Sequence, residues 1–275
     1  MQIVVLSGKG GTGKTFVSTN LFNVAKNATY IDCDIEEPNG HIYFDQSEKE
    51  IEVVNKYVPS INQDTCIGCK KCVDFCKFHS LMYLMDRVLF FDEQCHSCGG
   101  CMYVCPTKSI QEEPKRIGEI QHIVSNGKDL YTGLLDIGEA SGVRIIDALL
   151  KKAKKEELSI VDCPPGSDCS VMEAIKDADY AIVVVEPTIF GEHNMKMILE
   201  LLSIYQKPFG VVFNKSMEED YESILTYVKE MNGSILGSIP FNKKIGEINN
   251  NGLLVSNEME EMNTFFKELL KKVTS

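Results

Sequence analysis

The sequence predicts an α/β fold: a domain with a mostly parallel central sheet and flanking helices, interrupted by a small α+β insert rich in cysteine. Three observations carry this. The apolar run Ile3–Leu6 leads directly into a glycine-rich loop and then a helical segment. Short apolar runs alternate with amphipathic ones again from about residue 144 onward. Between these halves, eight of the 11 cysteines crowd into positions 66–105.

Taken in order, Ile3–Leu6 reads as a short buried strand, Lys14 to about Lys26 as a helix, and Ala28–Cys33 as a second strand. The rhythm breaks near Pro59. From about Ser60 to Pro114 the chain is cysteine-rich, with Gly68, Gly99 and Gly100 at turns. Alternation then resumes. Leu158–Val161, Ala181–Val185, Pro208–Phe213 and Ser234–Ile239 are predicted strands; Arg144–Lys155, Glu192–Tyr205, Glu218–Met231 and Asn257–Lys272 are predicted helices. The expected organisation is an α/β domain in two parts, 1–59 and 115–275, with an insert at 60–114.

Composition narrows the class. The chain has 275 residues, 44% apolar and 25% charged, which suits a globular domain with a full core. A formal charge of −12 disfavours a non-specific grip on nucleic acid or anionic lipid. No run approaches the ~20 apolar residues that span a bilayer. Met259, Met262, Phe265, Phe266, Leu269, Leu270 and Val273 recur at helical spacing, but four glutamates share that segment, so it is expected to pack on the core and not on a membrane. Cysteines in metal-type runs, with no signal peptide before them, point to a reducing cytoplasmic compartment.

Gly8-Lys9-Gly10-Gly11-Thr12-Gly13-Lys14-Thr15 fits G-x4-G-K followed by Ser or Thr, in the strand–loop–helix setting the mechanism needs. Successive N–H groups of such a loop form an anion nest, reinforced by the positive end of the helix. Lys14 is expected to reach the β- and γ-phosphates of ATP, and the Thr15 hydroxyl to ligate Mg²⁺.

Lys9, the second lysine of the loop, makes K-G-G-T-G-K-T similar to the deviant Walker A motif of the MinD/ParA/nitrogenase-iron-protein group, although Phe16 stands where a second Thr is common. The whole chain resembles MinD-like P-loop ATPases of the CobQ/CobB/MinD/ParA superfamily that carry an inserted bacterial ferredoxin domain. That resemblance implies ATP hydrolysis by a dimer, homotypic or with a paralogue, in which Lys9 reaches the nucleotide of the facing subunit. It implies that Asp34, in Asp32-Cys33-Asp34, orients the attacking water at the switch I position. It also implies that Ser159–Gly166 is the Walker B strand and switch II, with Asp162 holding Mg²⁺ through water and Gly166 offering its N–H to the γ-phosphate. By the same resemblance Asn214 reads the adenine and Pro240 lines the base pocket.

The cysteines form two runs, Cys66, Cys69, Cys72, Cys76 and Cys95, Cys98, Cys101, Cys105, offset by 29 residues. Both read C-x2-C-x2-C-x3-C, the two-cluster ferredoxin spacing, in which the fourth cysteine of each run serves the other cluster. One 4Fe-4S cluster is therefore expected on Cys66, Cys69, Cys72 and Cys105, the other on Cys76, Cys95, Cys98 and Cys101. Pro106 follows the second run as that signature expects, whereas Lys77 replaces the proline after the first. Paired C-x2-C units also bind zinc, but four cysteines per run, doubled, suit two cubane clusters better. His96 reads as a loop residue, and Cys33 and Cys163 as small apolar filler. Cys169 lies seven residues after Asp162, where the nitrogenase iron protein has a cysteine of a cluster shared across its dimer. Ser141 stands near where the second such cysteine would fall, so that ligand set is incomplete. The expected function is an ATPase whose nucleotide state controls electron transfer through two clusters to a partner protein. The alternatives are a scaffold or carrier delivering an iron–sulfur or metal cofactor to a client, and a positioning ATPase of the ParA/MinD kind.

Overall fold

The computed structural model describes residues 1–44, 49–153, 157–217 and 221–275. The first segment gives β1 (Gln2–Leu6), α1 (Lys14–Val24), β2 (Ala28–Asp32) and a long β3 (Glu50–Ile61). The cysteine segment follows with α2 (Lys71–Phe75), the hairpin β4 (Leu81–Leu84) and β5 (Arg87–Phe90), and α3 (Gly100–Tyr103). The chain returns along β6 (Ile110–Ser125) and β7 (Lys128–Leu135). It then alternates: α4 (Val143–Leu150), β8 (Leu158–Asp162), α5 (Cys169–Ile175), β9 (Tyr180–Val185), α6 (Ile189–Ile204) and β10 (Phe209–Ser216). The remainder is α7 (Glu222–Glu230), β11 (Ser234–Pro240), α8 (Lys243–Asn250), α9 (Val255–Glu258) and α10 (Glu260–Thr274). The expected end of the Arg144–Lys155 helix and the expected start of the Glu218–Met231 helix lie outside the described residues.

One sheet runs β11-β10-β9-β1-β8-β2-β7-β6-β3, and the strands from β11 to β7 are parallel, as the α/β prediction requires. Strands such as β1 and β9 are apolar without alternation because helices cover both faces. On one face Val4, Ile31, Val161, Val183 and Val211 pack with residues of α4, α5, α6 and α7. On the other, Ile3, Val5, Ile160 and Ile182 pack with α1, α9 and α10. Met262, Phe266, Leu269 and Val273 of α10 are buried there, so the C-terminal helix is a core element, as expected.

The insert is mounted on a ribbon. β3 and β6 pair antiparallel from Glu50↔His122 to Ile61↔Ile110, whereas β6 pairs with β7 only from Gly118 to Ser125. The outer half of the ribbon therefore projects beyond the sheet and carries residues 62–109 at its tip. The register jumps from Val54↔Gly118 to Asn55↔Arg116, leaving Ile117 as an extra residue where the ribbon departs. The expected boundaries at 60 and 114 both fall inside this ribbon. Within the insert, Cys72, Leu81, Val88 and Ile110 form a small core of their own.

Candidate nucleotide site and cysteine cavities

The glycine loop hands β1 to α1 through Gly13, at φ +100°; a Cβ there would lie 2.1 Å from Asn214 Nδ2. The loop is wound on the Lys9 carbonyl, which accepts from Ser7 Oγ at 2.7 Å and Thr12 Oγ1 at 2.9 Å. Asn214, at the end of β10, donates from Nδ2 to Thr12 O at 2.8 Å, and Lys215 donates to Gly11 O at 2.9 Å. A cavity of about 620 Å³ opens before the loop, lined by Gly10, Gly11, Gly13, Lys14 and Thr15 with Asp34, Pro164 and Pro165. A second, of about 320 Å³, adjoins it through Gly11, Gly13 and Phe16 and is lined by Asn214, Pro240 and Phe241. The two residues expected around a base thus share one cavity, beside the one expected to take phosphates.

Lys14 is only 6% exposed, and its Nζ lies 3.4 Å from Asp34 Oδ2. Burial pushes the Asp34 carboxyl up, with Lys14 opposing. Asp162 ends β8 beside β1 and is fully buried. Burial raises its carboxyl, against the pull of Lys14 and of the Thr15, Tyr30 and Ser18 hydroxyls. Tyr30 donates to Asp162 Oδ2 at 3.2 Å, while Oδ1 has no hydrogen-bond partner among the described residues. An orphaned carboxylate oxygen next to a threonine hydroxyl fits a hydrated Mg²⁺. Asp32 accepts from the N–H groups of Asp34 (3.1 Å) and Gly40 (3.0 Å); burial, then the Asp162 charge, pushes it well above the usual carboxylate range.

Lys9 does not face this cavity. It is 38% exposed and pairs with Glu186 Oε2 at 3.0 Å; that hydrogen bond holds the glutamate below its usual range. The Gly166 N–H, expected to face a γ-phosphate, donates here to Ser7 O at 3.0 Å. Sequence reasoning missed Tyr43, Asn249 and Asn250, which line the larger cavity. The signal for α8 was present: Asn242 caps it by accepting from Lys244 N at 2.8 Å, before Ile245 and Ile248 at helical spacing.

The cysteine runs repeat in backbone as well as in spacing. Positive φ recurs 29 residues apart at Gly68 and Ser97, at Lys70 and Gly99, and at His79 and Lys108. One small cavity is lined by Cys66, Cys69, Cys72 and Cys105, beside Ile61 and Ile110 at the ribbon tip. The other, about 490 Å³, is lined by Cys76, Cys95, Cys98 and Cys101, beside Tyr57, Pro59 and Glu112 of the ribbon. Each therefore takes three cysteines from one run and one from the other, the two sets expected from the spacing. Among the described residues, no three His, Cys, Asp or Glu side chains converge as around a single metal ion. Burial raises the Cys72 thiol and pushes Cys101 up to about 11. For Cys76 and Cys105, burial is outweighed by hydrogen bonds from Ser80 and Thr107 with nearby backbone, so both lie below the usual thiol value. His96 stacks on Phe78 with ring centroids 3.7 Å apart. Cys33 and Cys163 are buried in the core, and Cys169 is exposed at the first turn of α5.

A glycine nest between a parallel strand and a helix, with a buried lysine and a strand-end carboxylate, defines a P-loop nucleotide-binding protein. Residues 3–255 match the model of the CobQ/CobB/MinD/ParA nucleotide binding domain, and the chain belongs to that family. The cell division ATPase MinD of Pyrococcus furiosus has the same fold, with a TM-score of 0.62 over 100% of this chain and 98% of that one at 18% identity. The septum site-determining protein MinD of Pyrococcus horikoshii, complexed with Mg-ADP, superposes with a TM-score of 0.60 over 99% and 95% at 18% identity. An uncharacterized protein of Methanocaldococcus jannaschii is 32% identical over 285 residues, covering 99% of this chain and 96% of the relative. An uncharacterized ferredoxin of that organism is 35% identical over 54 residues, 18% of this chain and 70% of the ferredoxin. No helix among the described residues is long and apolar enough to cross a membrane.

Proposed function

We propose that this protein is an ATPase whose nucleotide state controls electron transfer through two 4Fe-4S clusters to a partner protein. The observation that carries the reading is the pair of four-cysteine cavities, with their ligand sets interleaved, on a ribbon that continues the nucleotide-binding sheet. Four cysteines in each cavity, in loops of repeated left-handed backbone, suit iron–sulfur cubanes. The clusters would supply one-electron storage. The similarity to a ferredoxin, and to a MinD described with Mg-ADP, supports the two halves of the reading.

The residues divide the work. The loop N–H groups and Lys14 hold the phosphates, Thr15 and Asp162 hold Mg²⁺, and Asn214 with Pro240 frames the base. Asp34 lies 3.4 Å from Lys14; a phosphate that draws the lysine to itself would free the carboxylate to orient water. Lys9, held at the rim by Glu186, completes the site of a facing subunit in an ATP-bound dimer. ATP and water give ADP and phosphate. One electron enters from a one-electron carrier protein and leaves to the partner. Cofactor delivery is the second reading, favoured by exposed Cys69 and Cys98, one in each set.

The test is an anaerobic EPR redox titration of the iron-loaded protein without nucleotide, with MgADP, and with a non-hydrolysable ATP analogue. A nucleotide-dependent change in cluster potential is expected, and Lys14→Ala abolishes it. Potentials indifferent to nucleotide, with iron passing readily to an apo-acceptor, would establish delivery instead.

A further inference from the structure

The insert touches the body of the molecule through the chain that opens α4. Arg144 donates from Nη2 to Ser97 O at 3.2 Å and to Ser97 Oγ at 3.1 Å. Ser97 stands between Cys95 and Cys98 at φ +54°, and its N–H donates to Cys95 Sγ at 3.4 Å. Its hydroxyl also accepts from Tyr57 N at 3.0 Å on the ribbon. Just before α4, Glu139 pairs with Lys56 at 2.7 Å and Lys115 at 3.1 Å; Lys56 also reaches Asp92 of the insert at 3.2 Å.

The same helix rests on the segments that follow Asp34 and Asp162, the carboxylates assigned above to the nucleotide. Ile35 directly follows Asp34 and accepts from Leu135 N at 3.0 Å. Gly142 is packed so closely on Ile35 that a Cβ there would lie 1.8 Å from Ile35 Cδ1. On another side α4 packs against α5, which continues the loop after Asp162, and Lys176 lies 3.8 Å from Asp147. Both cysteine cavities are walled by ribbon and insert residues, but among the described residues only the Cys76, Cys95, Cys98, Cys101 cavity has a wall residue, Ser97, bonded to α4 by a side chain.

We propose that the site formed by Cys76, Cys95, Cys98 and Cys101 is the nucleotide-responsive one of the two, and that Arg144 is the positioning residue that transmits the nucleotide state to it. The inference rests on the reading above, that these cysteines hold clusters controlled by ATP. Hydrogen bonds to ligand sulfur and nearby charge set the potential of an iron–sulfur site. Arg144 supplies a permanent charge and fixes the residue that makes one such bond. A tightly packed contact such as Gly142 on Ile35 passes on a shift of its partner. The coupling is reciprocal, so reduction of this site changes nucleotide affinity by the same factor.

The test is the EPR titration of the iron-loaded protein with MgADP and with the non-hydrolysable analogue, run on wild type, Arg144→Ala and Arg144→Lys. Cys69→Ser and Cys98→Ser assign each step to its site. Arg144 is exposed, so its replacement leaves folding, iron content and nucleotide affinity of the oxidised protein unchanged. In wild type the step assigned by Cys98→Ser moves about tenfold in equilibrium constant, ~59 mV for one electron, and the other stays. Arg144→Ala removes the movement and Arg144→Lys restores part of it. A full shift that persists in Arg144→Ala, or one confined to the Cys69 site, overturns the inference while leaving ATP control of the clusters standing. Potentials indifferent to nucleotide at both wild-type sites overturn both.

Discussion

Asp162 is held in a conflict that cation binding resolves. Burial raises its carboxyl, so the folded chain binds that proton more tightly than the unfolded chain does. Stability without nucleotide therefore falls as pH rises from the ordinary carboxylate value through the raised one, and Asp32, raised in the same way, adds to the slope. Asp162→Asn is expected to raise the melting temperature of the nucleotide-free protein at neutral pH and to flatten that slope. It should also lower Mg²⁺-dependent hydrolysis about 10- to 100-fold. Calorimetry across pH, with a phosphate-release assay, measures both. At this scale the grouping of Lys14, Thr15 and Asp162 was legible, because a glycine loop with its lysine and an apolar strand ending in Asp can be read directly from the chain. Tyr30, which donates to Asp162, was not: nothing in Ala28–Cys33 distinguishes a tyrosine that bonds a carboxylate from one that fills a core.

Among the elements, β1, β2, β8, β9, β10 and β11 were readable as short, largely apolar runs, but β7, parallel to β2, and the ribbon were not. Pro59 and Pro114 read as breaks, yet each sits inside a paired strand, Pro59 opposite Glu112 and Pro114 opposite Tyr57. Proline is tolerated there because β3 is the sheet edge and outer β6 has no second neighbour. The short α5 and the polar α8 escaped for a different reason, since neither offers a long apolar stripe. The insert's own core is only four buried side chains, so on the proposed reading bound iron would supply much of its stability. Anaerobic chelation of iron is expected to expose residues 62–109 to protease while the nucleotide-binding sheet stays folded. Limited proteolysis with mass spectrometry distinguishes this from global unfolding. Asn214→Ala, which removes the bond to Thr12 O, should cost about 1 kcal/mol in stability and loosen the glycine loop, measurable by denaturant titration.

At the scale of the whole molecule, the proposed ATP-bound dimer makes a demand on Lys9. Lys9 is exposed; among the described residues its side chain pairs with Glu186 at the rim, and it contributes nothing to the walls of the cavity before the glycine loop. Lys9→Ala is therefore expected to bind ATP within a few-fold of wild type, to remain monomeric with ATP by light scattering, and to hydrolyse it about 10³-fold more slowly. A monomer that hydrolyses ATP at the wild-type rate would assign Lys9 to its own site. The ribbon adds a constraint of a different sort. Side chains alternate along a strand, and Ile117 interrupts that alternation once, which keeps Lys115 in step with Ile117 and Ile120. The ribbon thus has a phase as well as a length. Adding two residues to each strand would carry residues 62–109 about 6.8 Å farther out and preserve their facing. Adding one would invert it, turning Lys56 and Lys115 away from Glu139. Natural drift in ribbon length should accordingly proceed in even steps, or else bring a second bulge with it.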